Sequence, residues 1–167
     1  MMTAYPVILS ILLVISVTVV AIWRMRSLPD SISAFVYVFK HKWIWTVWMW
    51  AVSLLTLIPA VDRLSNIGME LLGFGSLVCL MFCGAMPLID KDNTVMHWVF
   101  GVSGCVLSQC CVWFINYHWL SLWMLFVFLF LSSYVQPEGW LGRAMKGKGV
   151  LVAECVCYIS IAGSLLT

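Results

Sequence analysis

The chain has 167 residues, of which 63% are hydrophobic and 10% charged, with a net charge of +2 and a mean hydropathy of +1.04. Soluble domains are about half apolar and a quarter charged, so this composition excludes an ordinary water-soluble fold and points to a lipid bilayer. So small a net charge also gives no basis for nucleic-acid binding, which calls for a basic face.

A bilayer-crossing helix takes about 20 apolar residues. Continuous apolar runs predict six, over residues 5–23, 43–60, 67–88, 95–114, 119–135 and 149–166. None shows the period-two alternation of a barrel strand. The expected fold class is all-α: a single polytopic transmembrane helical bundle of six spans with a short interfacial helix over residues 30–40.

The first run is followed by Arg24 and Arg26 instead of being preceded by basic residues. That is the reverse of a cleavable leader, so it is expected to stay as a membrane helix. Residues 27–41 then open on Pro29-Asp30, where Asp30 can cap exposed amides, and turn apolar for too few residues to cross. The run WIWTVWMW begins the second span. Trp43 and Trp45 are expected at the membrane boundary, with Trp48 and Trp50 one to two turns deeper, as packing or as a stacking surface for an aromatic or lipid-like ligand.

Spans three and four carry narrow faces of small residues. Gly75, Cys79 and Cys83 recur every four residues, and His97, Gly101, Gly104 and Ser108 follow a spacing of four, three and four. Small faces let helix backbones approach closely in lipid, so these two serve either packing within the chain or contact with a homo-oligomer mate or another membrane protein. The short link from Asp90 to Asn93 makes spans three and four antiparallel neighbours. All seven cysteines fall inside predicted helices, an odd number that fits no disulfide framework. Residues 136–149, before the sixth span, are glycine-rich and basic with one Trp, and suit the headgroup layer.

Arg24, Arg26, Lys40, Lys42, Lys91, Arg143, Lys146 and Lys148 fall on one side of this topology, and Arg63 alone falls on the other. By the positive-inside rule the crowded side is cytoplasmic, both termini lie outside, and the expected location is a bacterial inner membrane.

Candidate chemistry gathers at the cytoplasmic end, where Asp30, Ser33, Asp90 and His97 could form a polar vestibule. His97 would be the acid, base or metal ligand and Asp90 its orienter. Solvated helix ends are the plainer reading of the same residues. No phosphate loop, nucleophile elbow or paired zinc motif appears, and no cofactor or metal is predicted. No charged residue is expected at the midplane, which counts against ion-coupled transport.

The stretches LPDSISAFVYVF, WIWTVWMW, CGAMPL and HWVFGVSGCVLSQ resemble an uncharacterised group of small polytopic membrane proteins of gut Bacteroidales and their mobile elements. That resemblance implies a bacterial inner membrane and no particular activity. Ser31 or Ser33, Asp90 and His97 also bear a fainter likeness to the ceramidase-like membrane hydrolases, which implies a zinc site. The chain departs from that pattern: six spans are read, and Glu154 and Cys157 stand on the last span where the paired histidines belong.

Three function classes follow. A membrane-embedded partner or scaffold subunit comes first. An oligomeric pore or uncoupled small-solute path comes second, and a ceramidase-like metal hydrolase third.

Overall fold

The computed structural model describes residues 4–89, 94–135 and 137–167, and within them every element is helical. Seven α-helices follow one another: α1 (Ala4–Met25), α2 (Lys42–Ser65), α3 (Glu70–Ile89), α4 (Thr94–Asn116), α5 (Ser121–Val135), α6 (Trp140–Met145) and α7 (Gly149–Leu166). Two 3-10 turns, Ser33–Tyr37 and Tyr117–Leu120, precede α2 and α5. Asp90, Lys91 and Asp92 lie outside the described residues, as does the side chain of Trp140.

Five stretches are long and apolar enough to cross a membrane: Ala4–Met25, Lys42–Ser65, Glu70–Ile89, Val95–Val135 and Gly149–Leu166. The fourth is a single run of 41 residues, which the chain breaks at Asn116 into α4 and α5. There the backbone turns extended (φ −160°, ψ 90°), and the Asn116 side chain accepts the His118 N–H at 3.3 Å. Local capture of a backbone donor by Asn competes with helix continuation. The run expected over 119–135 therefore begins as a 3-10 turn, and its α-helix has 15 residues, fewer than a span ordinarily needs.

α2 also outlasts its expected end at residue 60 and carries Asp62 and Arg63 into its last turn. The Arg63 guanidinium donates from Nη2 to the Leu165 carbonyl at 2.9 Å, at the C-terminus of α7. A cation there meets both an orphaned carbonyl and the negative end of the helix dipole. Beyond α2 the chain reverses through Gly68, whose φ of +70° is open to glycine at no steric cost.

The small faces of α3 and α4 meet each other. A Cβ on Gly104 would lie 2.7 Å from the Leu80 side chain and 3.3 Å from Cys79 Cβ, and one on Gly101 would lie 3.3 Å from Cys83 Sγ. The Ser76 hydroxyl donates across this seam to the Gly104 carbonyl at 2.9 Å. α3 packs as closely on α2, where a Cβ on Gly84 would meet Met49 Cβ at 2.7 Å and one on Gly73 would meet Val61 at 2.6 Å. Thr46 Oγ1 donates to the Gly84 carbonyl at 2.9 Å. Close backbone approach plus short hydroxyl–carbonyl bonds is how helices associate where lipid offers no hydrophobic drive.

α1 and α7 complete the bundle around a core of Val7, Leu57, Leu64, Leu77, Val112, Ile161 and Leu165. A buried polar knot ties them to α2. Ser10 Oγ donates to the Val7 carbonyl at 2.8 Å, accepts from Thr56 Oγ1 at 3.0 Å, and pairs with the Tyr158 hydroxyl at 2.7 Å. With its one hydrogen spent on Val7, Ser10 takes the other two on its two lone pairs.

Between α1 and α2 runs a strap, residues 26–41. The interfacial helix expected over 30–40 is only the 3-10 turn Ser33–Tyr37. Its cap is also different: Ser31 Oγ, not Asp30, accepts the Ala34 N–H, at 3.1 Å. β-branched and aromatic residues gain little in a helix, and here Phe35 and Val36 gain more by burial against Trp45 and Trp48.

Candidate functional site

Where α3 and α4 zip together, the other side of α4 does not close. A cleft of about 860 Å³ runs between α2, α4 and α7, from Ser33, His97 and Glu154 at the strap end to Phe114 and Leu120 at the far end. Its lining is chiefly apolar and aromatic. Along its rim Trp98, Val102, Val106 and Trp113 form one stripe on α4, and each is more than half exposed. α5 rests on α6 and α7 instead of α4, so this rim faces whatever surrounds the helices.

One residue bridges the gap. Gln109 Oε1 accepts from Trp123 Nε1 at 2.9 Å and from Ser160 Oγ at 2.8 Å, while its Nε2 donates to Ser108 Oγ and to the Cys157 carbonyl, each at 3.2 Å. Both amide donors and both acceptor sites are thereby used, and α4, α5 and α7 are held at one point. Gln109 was not among the candidates drawn from the sequence. A lone amide in an apolar helix was the available signal, because lipid forces such a group to find partners.

The strap forms the floor of the cleft at its polar end. Ile32 and Ser33 line it, and the Ile32 N–H donates to Glu154 Oε2 on α7. Asp30 fastens the same strap from outside: its carbonyl accepts the Leu151 N–H at 3.1 Å, and its carboxylate pairs with Lys148 Nζ. At the other edge Arg24 Nη1 donates to the Val38 carbonyl at 2.8 Å.

Of the four residues expected to form a vestibule, the three described ones take separate hydrogen-bond partners. His97 Nδ1 lies 3.1 Å from the Cys83 carbonyl, with Cys83 Sγ 3.6 Å away. Ser33 pairs with Ser31 at 2.9 Å, Asp30 pairs with Lys148, and Asp90 lies outside the described residues. Ser33 and His97 share the cleft without sharing a hydrogen bond. Glu154, which the sequence offered only as standing where the ceramidase-like pattern has a histidine, stands with them in the lining. Among the described residues no group of three or more His, Cys, Asp or Glu side chains is placed to hold a metal ion.

The tryptophans divide. Trp23 and Trp43 are exposed at the strap end of their helices, as an interfacial belt would be, whereas Trp45 is buried to 1% exposure and stacks on Trp48 with ring centroids 5.1 Å apart. Both line the cleft. Trp48 Nε1 donates to the Leu13 carbonyl at 3.2 Å and Trp50 Nε1 to the Met81 carbonyl at 2.9 Å, so the deeper pair also ties helices together.

No protein-family model matches this chain, nor does any curated protein or any solved structure.

Proposed function

We propose that this chain is a multi-pass membrane protein that holds one lipid-like amphiphile in the cleft, its polar end under the strap and its tail along α4 and α7. The cleft is the observation that carries this reading. Ligand sites run to about 300–1,000 Å³, mostly apolar with a few converging polar groups, and 860 Å³ with Ser33, His97 and Glu154 at one end fits that pattern. The exposed stripe of Trp98, Val102, Val106 and Trp113 gives such a molecule a lateral way in from lipid.

The other expected roles draw less support. A scaffold working through Gly75, Cys79 and Cys83 and through Gly101 and Gly104 would have to part α3 from α4, which those residues join, while Ser108 lines the cleft. A pore needs polar groups free to face water, and here Ser108 donates to Cys105 and Thr56 to Ser10.

In the bilayer we place the strap end in the cytoplasm, with the start of α1 and the end of α7 outside, on the eight-to-one division of Lys and Arg. α5 supplies a sixth crossing in this arrangement. Its 15 residues rise about 22 Å and the preceding 3-10 turn adds about 8 Å, together close to the hydrocarbon thickness. An alkaline-phosphatase fusion after Thr167 should be active in a bacterial host, and an inactive fusion whose green-fluorescent counterpart glows would reverse the orientation.

Purification in mild detergent followed by mass spectrometry of extracted lipids tests the binding reading. About one amphiphile per chain should be retained. Ala153→Phe and Val102→Phe, each putting a ring into the cleft from a different wall, should each release it while the protein stays folded. Equal retention by both variants would place the molecule elsewhere and overturn the assignment.

A further inference from the structure

Among the described residues eight buried side chains are polar. Ser10, Thr46, Thr56, Ser76, Ser108, Ser160 and Ser164 each donate to an oxygen. The eighth, Ser53, is 4% exposed and makes no hydrogen bond. A hydroxyl inside a helix ordinarily bonds back to a carbonyl of the preceding turn, as Ser10, Ser108 and Ser164 do here. Ser53 lines the cleft, and its oxygen is not walled in: among the described residues the unpartnered side-chain atoms without accessible surface are Trp45 Nε1 and Glu70 Oε2. The surface left to Ser53 Oγ is therefore surface toward the cleft. Thr56, Tyr158 and Gln109 share the lining but are engaged, Thr56 and Tyr158 with Ser10 and Gln109 with Ser108, Trp123, Cys157 and Ser160.

Two hydrogen bonds to α3 fix the depth of this hydroxyl. His97 on α4 meets the Cys83 carbonyl and Thr46 on α2 meets the Gly84 carbonyl, so His97 and Thr46 stand level. Ser53 comes seven residues after Thr46, which on an α-helix puts it about 10 Å farther from the strap. An amphiphile with its polar end beside Ser33 and His97 therefore brings to Ser53 a carbon well down its tail. Plain methylenes there would leave the Ser53 hydroxyl unsatisfied, and a hydroxyl borne on a tail in lipid is itself without a partner. Each supplies what the other lacks. A tail hydroxyl also suits Ser53 in either sense, accepting its proton or donating to its lone pairs, whereas a ketone can only accept.

Resting on the amphiphile-binding reading above, we infer that the cleft selects a long-chain amphiphile hydroxylated partway along its tail, about 10 Å from its head, with the tail hydroxyl bonded to Ser53 Oγ. Ser53 is then the specificity-determining residue of the site.

The test uses the full chain in phosphatidylcholine nanodiscs. Each probe is an amphiphile whose acyl tail ends in bromine and carries a hydroxyl at mid-chain, beside the head, or nowhere, and each tail is borne on a monoacylglycerol and on a free fatty-acid head. The probes are titrated in by mole fraction of the bilayer, and quenching of tryptophan fluorescence is recorded. The mid-chain hydroxyl should quench saturably and bind about three- to tenfold more tightly than the plain tail, the worth of one hydrogen bond. Ser53→Ala removes the hydroxyl and leaves the helix otherwise intact. It should bring the mid-chain probe down to the plain one without altering the standing of the probe hydroxylated beside the head. A mid-chain hydroxyl binding no more tightly than the plain tail on either head would overturn the inference while leaving the cleft a lipid site. A preference that survives in folded Ser53→Ala, or that vanishes equally for both hydroxyl positions, would overturn the role of Ser53. Absence of saturable quenching by every probe would remove the amphiphile-binding reading itself and this inference with it. The order of the probes is read on the unaltered protein, so it decides the question even if Ser53→Ala does not fold.

Discussion

α3 and α5 are both apolar helices of the same bundle, and they could hardly be held more differently. α3 sits between α2 and α4 with glycine at each seam, Gly73 and Gly84 toward α2 and Gly75 toward α4. α5, SLWMLFVFLFLSSYV, has no glycine, and none of its residues is buried. Large side chains all round a helix give lipid and protein the same surface, so nothing draws such a helix into the bundle. The cleft exists because of this difference. Where small residues line both partners the backbones close, and where α5 offers only bulk the wall of α4 stays open.

The largest effect should come from filling a closed seam. Gly84→Leu and Gly104→Leu each put a branched side chain where even a Cβ would come within 2.7 Å of a neighbour. Each should cost about 1–3 kcal/mol or more, read as a lower melting temperature in detergent. Leu54→Ala, on a more exposed face of α2, should cost less than either. Equal melting of all three would mean that the seams are far softer than their spacing implies.

A smaller effect tests the open side. Gln109→Leu removes four hydrogen bonds, three of which tether α5 and α7 to α4. Interhelical hydrogen bonds in membranes average about 0.6 kcal/mol each, so a loss of roughly 1–2 kcal/mol is expected. Local behaviour should be more telling than the melt. Hydrogen exchange along α5 should quicken several-fold in Gln109→Leu while α3 stays protected. Equal protection of α5 before and after would show that α7 and α6 hold it unaided.

The closed side was legible in the sequence and the open side was not. Spacing alone placed Gly101 and Gly104 on one narrow face and Cys79 and Cys83 on another, because the 3.6-residue period fixes which residues share a face; that the two faces meet came from the structure. It also found the apolar runs that became α1, α2, α3, α4 and α7. Yet Gly84 and Gly73 passed unnoticed, since their partners Met49 and Val61 are ordinary side chains that form no pattern of their own. α5 looked like any other span, for hydropathy does not register that a helix lacks small residues to dock with. At the site, Ser33 and His97 line one cleft, but pairing depends on distances across helices that a sequence does not contain. His97 turned to the Cys83 carbonyl and Asp30 to Lys148. Trp45 was expected at the boundary by its position in the run, and burial beneath the strap came instead from Phe35 and Val36 folding over it.

The smallest expected effect concerns the strap that floors the cleft, which is tied to α7 in two ways. One tie is the ion pair of Asp30 with Lys148, in which Asp30 is 79% exposed. Ion pairs so open to solvent contribute about 0–1 kcal/mol and fade with salt. The other tie is made of backbone groups: Ile32 N–H to Glu154, and Leu151 N–H to the Asp30 carbonyl, which no substitution at Asp30 deletes. Asp30→Asn should therefore leave stability within about 0.5 kcal/mol of the unaltered protein, with the difference vanishing at high salt. Glu154→Leu leaves the Ile32 N–H beside the cleft without its acceptor, and a half-buried donor so stranded costs about 1–3 kcal/mol. The strap should then be cut faster by a protease added on its own side. If Asp30→Asn released the strap as readily as Glu154→Leu, the exposed ion pair would be its true fastening, and the floor of the cleft would open with ionic strength.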